Sequence, residues 1–239
     1  FQDANFPHRN EWRWSRFEGL SLRWTPYGMP RLSPELSRSV FFLYGKDPQS
    51  GELKGPLGTG VFIGAKHFVP VAENQSQQIW SLYAITAAHV ALGGASVIRV
   101  PTRDGAMREI EFDPCEWIVD LKWEDIAAVD VSDRIIRRSP ENSDHDAISF
   151  IPEEQFASEA FFPKYEFGIG EDGFMLELFS EHSGGIQDIV AARFGNVSML
   201  ADSRFPIERH DPDLDVTFSS PCHVFDIHSR PGFSGSPVF

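Results

Sequence analysis

Short apolar runs broken by turn residues set the strongest limit on what this chain can build. Stretches such as SVFFLYG, GTGVFIG, IWSLYAITAA, ASVIRVPT, REIEFD, DIAAVDV, FMLELF, ARFGNVSML, DVTF and SPVF are bounded by Gly, Pro, Asp or Asn. They are rich in Val, Ile, Phe and Tyr, few of them carry a helical period over several turns, and they predict strands. The segment from Val97 to Phe112 predicts a hairpin turned at Asp104-Gly105. Repeated strands with turn signals between them imply an all-β sandwich or barrel rather than alternating βα units. From about Asp133 to Tyr165 the chain is more polar, carries Arg134, Arg137 and Arg138, and reads as a linker between two β subdomains.

With 239 residues, 41% of them hydrophobic, the chain can bury a large core as one domain or two packed subdomains. Its formal net charge of -14 sets up a field that repels polyanions, so nucleic acid is excluded as a partner. No apolar run reaches the roughly 18 residues a membrane span needs, and no membrane partner is expected. Aromatic and basic residues interleave at Trp12, Arg13, Trp14, Arg16, Phe17, Arg23 and Trp24. A base-stacking surface and an N-terminal arm packed on the body both fit that pattern, and the arm is the reading adopted. The two cysteines, Cys115 and Cys222, could pair, but so small a number predicts two free, mostly buried thiols in a reducing compartment. With no visible leader, that favours the cytoplasm.

The chemistry concentrates at three places. The stretch SRPGFSGSPVF sets Ser234 among glycines, either as a nucleophile on a tight turn or as a polar residue in a glycine-rich corner. A serine hydroxyl attacks nothing unaided, so the first option demands a base elsewhere. His89 closes the apolar run LYAITAAH, where small alanines let the backbone turn and leave the imidazole beside open space. An imidazole titrates close enough to neutrality to take and return a proton. Asp125 heads the apolar run DIAAV, where a carboxylate can accept the other imidazole N–H, although a turn aspartate would look the same. Asp146, in DHDAI, is a second candidate for that acid.

Taken together, the order His89, Asp125, Ser234 on an all-β chain resembles the chymotrypsin clan of serine proteases. The pieces that carry the resemblance are Gly58 to Ile63 (GTGVFI), Thr86 to His89 (TAAH), Asp125 to Val129 (DIAAV) and Gly232 to Pro237 (GFSGSP). The ending SGSPVF looks most like the bacterial glutamyl-endopeptidase and trypsin-like branch. The resemblance implies a two-barrel chymotrypsin-like fold: an arm over 1–38, a first barrel over 39–132 holding His89 and Asp125, a linker over 133–165, and a second barrel over 166–239 holding Ser234. Only five residues follow Ser234, so either the rest is missing from this chain or the second barrel is incomplete, with much of the specificity pocket expected in the absent part. The resemblance further implies a serine endopeptidase with the triad His89, Asp125 and Ser234, and an oxyanion hole made by the backbone N–H groups of Gly232 and Ser234. It implies no metal or organic cofactor, a protein or peptide substrate, and room for a regulatory protein partner or a further domain. His228 falls near where a specificity pocket would have its floor, with a structural histidine as the alternative. Phe233 stands where trypsin-type enzymes keep an aspartate, so no activation switch of that kind is expected. An idle protease-like module that binds peptide or a partner protein is the alternative to an enzyme.

Three further patterns are declined as sites. Gly168 to Gly173 spells G-x-G-x-x-G, but the FMLELF that follows reads as a strand where a dinucleotide site needs a helix. Asp211, Asp213 and Asp215 alternate like the start of a calcium loop without its glycine and glutamate. His223 and His228 would point to opposite faces of a strand, so with Asp226 they do not converge on a metal.

Overall fold

The computed structural model describes residues 23–24, 30–72, 75–120, 125–135, 147–158, 161–178, 188–211, 215–228 and 232–239. Most of the aromatic arm, the second acid candidate Asp146, and Asp213 of the acidic alternation lie outside them. In chain order the strands are β1 (Arg23–Trp24), β2 (Pro30–Arg31), β3 (Val40–Lys46), β4 (Leu53–Ala72), β5 (Gln75–Thr86), β6 (Val97–Pro101), β7 (Met107–Glu111) and β8 (Ile118–Asp120). They continue with β9 (Ile126–Asp130), β10 (Ile151–Pro152), β11 (Asp172–Leu178), β12 (Val190–Met199), β13 (Ile207–Asp211), β14 (Val216–Ser220) and β15 (Val224–Asp226). Helices are single turns or little more: α1 (Pro34–Ser37), α2 (Ala88–Leu92), α3 (Ser132–Ile135) and α4 (Phe161–Lys164). The fold is all-β, as the short apolar runs predict.

Among the described residues the main sheet runs β7-β6-β3-β4-β5-β9-β8, with β10 paired to β4. All its ladders are antiparallel except β10 on β4, where Ile151 opposes Ile63. The expected hairpin is there: β6 and β7 pair from Val97↔Glu111 to Pro101↔Met107, with Gly105 at φ 86 in the turn. No pairing among the described residues joins the outer strands β7 and β8. A second sheet has the order β11-β12-β15, and the hairpin β13-β14 forms a sheet of its own.

The run VFFLYG of β3 is apolar on both faces because both faces are buried. Phe41 and Leu43 pack into one core with Phe62, Leu82, Ile98 and Val129. Val40, Phe42 and Tyr44 pack into a second core with Phe174 and Leu176 of β11. β3 thus forms the wall shared by the two sheets. Truncating a side chain as deeply buried as Phe41 would cost about 3–5 kcal/mol. A polar tie reinforces the junction: the fully buried Asp188, just before β12, accepts hydrogen bonds from Tyr44 Oη at 3.0 Å and from Arg99 at 3.2 Å. Burial raises the Asp188 carboxyl above its usual range despite the opposing pull of Arg99 and Tyr44. Burial and the neighbouring Asp188 push the Tyr44 hydroxyl up to about 12.

The last residues add a strand-like edge to β11. Phe174 and Phe239 exchange backbone hydrogen bonds of 2.9 and 2.8 Å, and their rings stack at 5.2 Å. This edge and the β3 wall fix where the Ser234 turn lies relative to β4 and β5.

Candidate active site

β5 ends at Thr86, and α2 starts two residues later. The small residues make this junction possible: Ala88 and Ala91 are buried, so the short helix lies flat on the core and its second residue, His89, faces outward. The backbone N–H of His89, in the first turn of α2, has no carbonyl partner within the helix. Asp125, at the head of β9, supplies one: its Oδ1 accepts from His89 N at 3.0 Å. Its other oxygen, Oδ2, lies 2.8 Å from His89 Nδ1. One carboxylate therefore caps the helix and orients the imidazole on it.

This grip sets the tautomer. Burial pushes the Asp125 carboxyl upward, but the hydrogen bonds from the His89 ring and backbone, with the charges of His89 and Arg209, outweigh it and hold the carboxyl below its usual range. An ionised carboxylate cannot donate, so the proton between the two sits on Nδ1, and in the neutral imidazole Nε2 is left as an acceptor. An imidazole in that state can receive a proton from a hydroxyl.

Ser234 lies on a turn that is docked against Gly58 and Thr59 of β4 and the root of α2. Thr59 N–H donates to Ser234 O at 2.9 Å, and Thr59 Oγ1 donates to Gly232 O at 2.9 Å. Thr86 Oγ1 in turn donates to Thr59 O at 2.7 Å, so the two threonines, both buried, brace the turn. Gly235 is at φ 84, and a Cβ there would stand 2.2 Å from Thr59 O, 2.3 Å from Thr86 Oγ1 and 2.9 Å from Ala87 N. Only glycine permits this approach. Gly58, the neighbour of Thr59 on β4, serves the same end: a Cβ there would meet both the Val90 side chain of α2 and Ser234 O. The serine turn and the histidine helix are thus packed to within a side chain of each other. Gly232, at φ 95, faces open space, with nothing within 4 Å of where a Cβ would be.

A hollow of about 410 Å³ is lined by Ala192, Arg193, Phe194, Asp226 and His228. Arg193 places it beside the serine turn, because its guanidinium lies over the ring of Phe233 at 5.7 Å while its Nε donates to the fully buried Glu177 at 2.6 Å. Phe233 is itself buried and serves as packing. His228 is exposed on the rim, whereas His223 stacks on Phe162 at 4.5 Å and accepts from Ala201 N–H. The G-x-G-x-x-G stretch leads straight into β11, which pairs with β12 from Asp172↔Asn196 onward.

Several contributors carry no signal of their own in the sequence. Thr59 and Thr86 look like ordinary strand residues, and Glu177 and Arg193 like an exposed pair on neighbouring strands. Arg209 of β13 reaches Oδ2 of Asp125 from 84 positions away, a contact that no spacing rule anticipates.

No protein-family model matches the chain, and no curated protein matches it. Among solved structures, the crystal structure of Deg5 is similar to it with a TM-score of 0.43 and 13% identity, covering 86% of this chain and 75% of that one. The described residues define an all-β, largely antiparallel protein.

Proposed function

We propose that this protein is a trypsin-like serine endopeptidase acting through Ser234, His89 and Asp125. The observation that supports this most is the double grip of Asp125 on His89, ring and backbone together, on a helix whose root carries the Ser234 turn. In the reaction, Ser234 Oγ attacks the carbonyl carbon of a peptide bond while His89 Nε2 takes its proton. The oxygen of the tetrahedral intermediate becomes negative and accepts hydrogen bonds from the N–H groups of Gly232 and Ser234. Collapse breaks the C–N bond, His89 returns the proton to the departing amine, and an acyl ester remains on Ser234. Water, deprotonated by His89, then cleaves the ester and restores the serine. Asp125 holds the Nδ1–H tautomer throughout and stabilises the imidazolium by charge.

The hollow beside Phe233 is where a substrate side chain would lie, with Arg193, Asp226 and His228 as its polar lining. A finer assignment to a glutamyl-endopeptidase-like specificity rests on His228 alone. Digestion of a mixed peptide library, read by mass spectrometry, tests the proposal. New termini are expected with the wild type and absent with Ser234→Ala, and Asp125→Asn should slow cleavage by about 10⁴-fold. Cleavage that persists in Ser234→Ala sinks the assignment. An intact, folded chain that cleaves nothing points instead to a peptide-binding module.

A further inference from the structure

The hairpin β13-β14 shares no strand pairing with the other sheets among the described residues, yet it delivers a cation to the buried acid. The guanidinium of Arg209 bonds Oδ2 of Asp125, the same oxygen that accepts Nδ1–H of His89. Asp125 is 8% exposed and Arg209 60%, so the arginine covers the carboxylate from the solvent side. We infer that Arg209 is a positioning residue of the triad, one that shares Asp125 Oδ2 with His89 and thereby holds down the basicity of the imidazole. The inference rests on the Ser-His-Asp reading above and adds a fourth residue to it.

The physical reason is competition for one oxygen. A carboxylate beside an imidazole favours the imidazolium through its charge and its lone pairs. A guanidinium on the same oxygen neutralises some of that charge, and it repels the positive ring directly. The charged groups that bear on Asp125 are His89 from α2 and Arg209 from β13. Along the serine turn, Gly232 to Pro237 carry no charged side chain, and Glu124 and Arg230 lie outside the described residues. Arg209 is exposed, so solvent screens part of its effect, and its removal should move the acid limb of serine reactivity to higher pH.

The test uses the full chain and a fluorophosphonate whose rate of reaction with Ser234 is followed from pH 5 to 9. Arg209→Gln is expected to shift the midpoint of the rate profile to higher pH, and Arg209→Lys to restore most of the wild-type midpoint. A purely structural role predicts slower reaction at every pH with an unmoved midpoint, and that result overturns the inference. A second arm does not need a reactive serine: the His89 ring protons, assigned with His89→Ala, are titrated by NMR in the Ser234→Ala background with and without Arg209→Gln. The midpoint is expected to be higher in the protein that also carries Arg209→Gln, and coincident titrations overturn the inference. If the wild type fails to react while the NMR midpoint still moves, the peptidase proposal falls and the role of Arg209 on His89 stands.

Discussion

Replacing Gly235 by alanine tests how the serine is held. At φ 84 an alanine loses about 1–2 kcal/mol to the left-handed backbone alone. Its Cβ would also stand 2.2 Å from Thr59 O and 2.9 Å from Ala87 N, both of them backbone atoms that cannot swing aside. The turn must therefore retreat by about 1 Å to reach ordinary contact distances. That retreat pulls Ser234 O and Gly232 O away from the two hydrogen bonds donated by Thr59, at about 1 kcal/mol each. Together the loss is about 3–4 kcal/mol, and a displacement of that size at the nucleophile should slow its reaction by about 10²-fold. Gly94→Ala is the matched control: its φ is 94, but nothing lies within 4 Å of the new Cβ, so only the backbone cost of about 1–2 kcal/mol applies. Urea unfolding and the rate of fluorophosphonate labelling measure both quantities. If Gly235→Ala unfolds within about 1 kcal/mol of Gly94→Ala and labels at the wild-type rate, the docking of the serine turn on Thr59, Thr86 and Ala87 has been misread.

Other perturbations follow from the same geometry. Thr59→Val removes the hydroxyl that donates to Gly232 O, and should lower stability by about 1–2 kcal/mol and slow labelling of Ser234 while leaving the sheet intact by circular dichroism. Arg193→Ala takes one partner, at 2.6 Å, from the fully buried Glu177. A loss of about 2–3 kcal/mol in urea unfolding is expected, less than for a wholly buried pair because Arg193 reaches solvent, and Glu177→Leu with Arg193→Met should recover most of it. Asp188→Asn should change how stability depends on pH. Burial raises the folded carboxyl above its unfolded value, so the wild type holds its full stability below the unfolded value of about 4 and loses some as pH rises through the folded one. The stability of wild type minus variant, from urea midpoints between pH 4 and 8, should fall with rising pH, and a difference that rises contradicts the assignment of burial as the dominant effect.

How much of this is legible in the sequence depends on how local each signal is. The strand runs carry their period in a few consecutive residues, and even the two-sided burial of β3 shows as an unbroken apolar stretch. His89 and Ser234 stand in small-residue surroundings that are unusual for strand ends. The contact of Asp125 with His89 follows from a pattern of motifs and not from any one of them. The braces are different. Thr59, Thr86 and Arg209 act through partners distant in sequence, and nothing in their immediate neighbours distinguishes them from surface or strand residues. The tie of Tyr44 and Arg99 to Asp188 is of the same kind, linking positions 144 and 89 residues apart. Barrel closure is also non-local, since it depends on how the outer strands β7 and β8 meet, and the described pairings leave them apart.

The most direct measurement is active-site labelling of the full chain with a fluorophosphonate, followed by intact mass and peptide mapping. A single adduct on Ser234 is expected, absent in Ser234→Ala and lost in His89→Ala. A folded wild type that takes up no adduct, or an adduct that survives in Ser234→Ala, contradicts it.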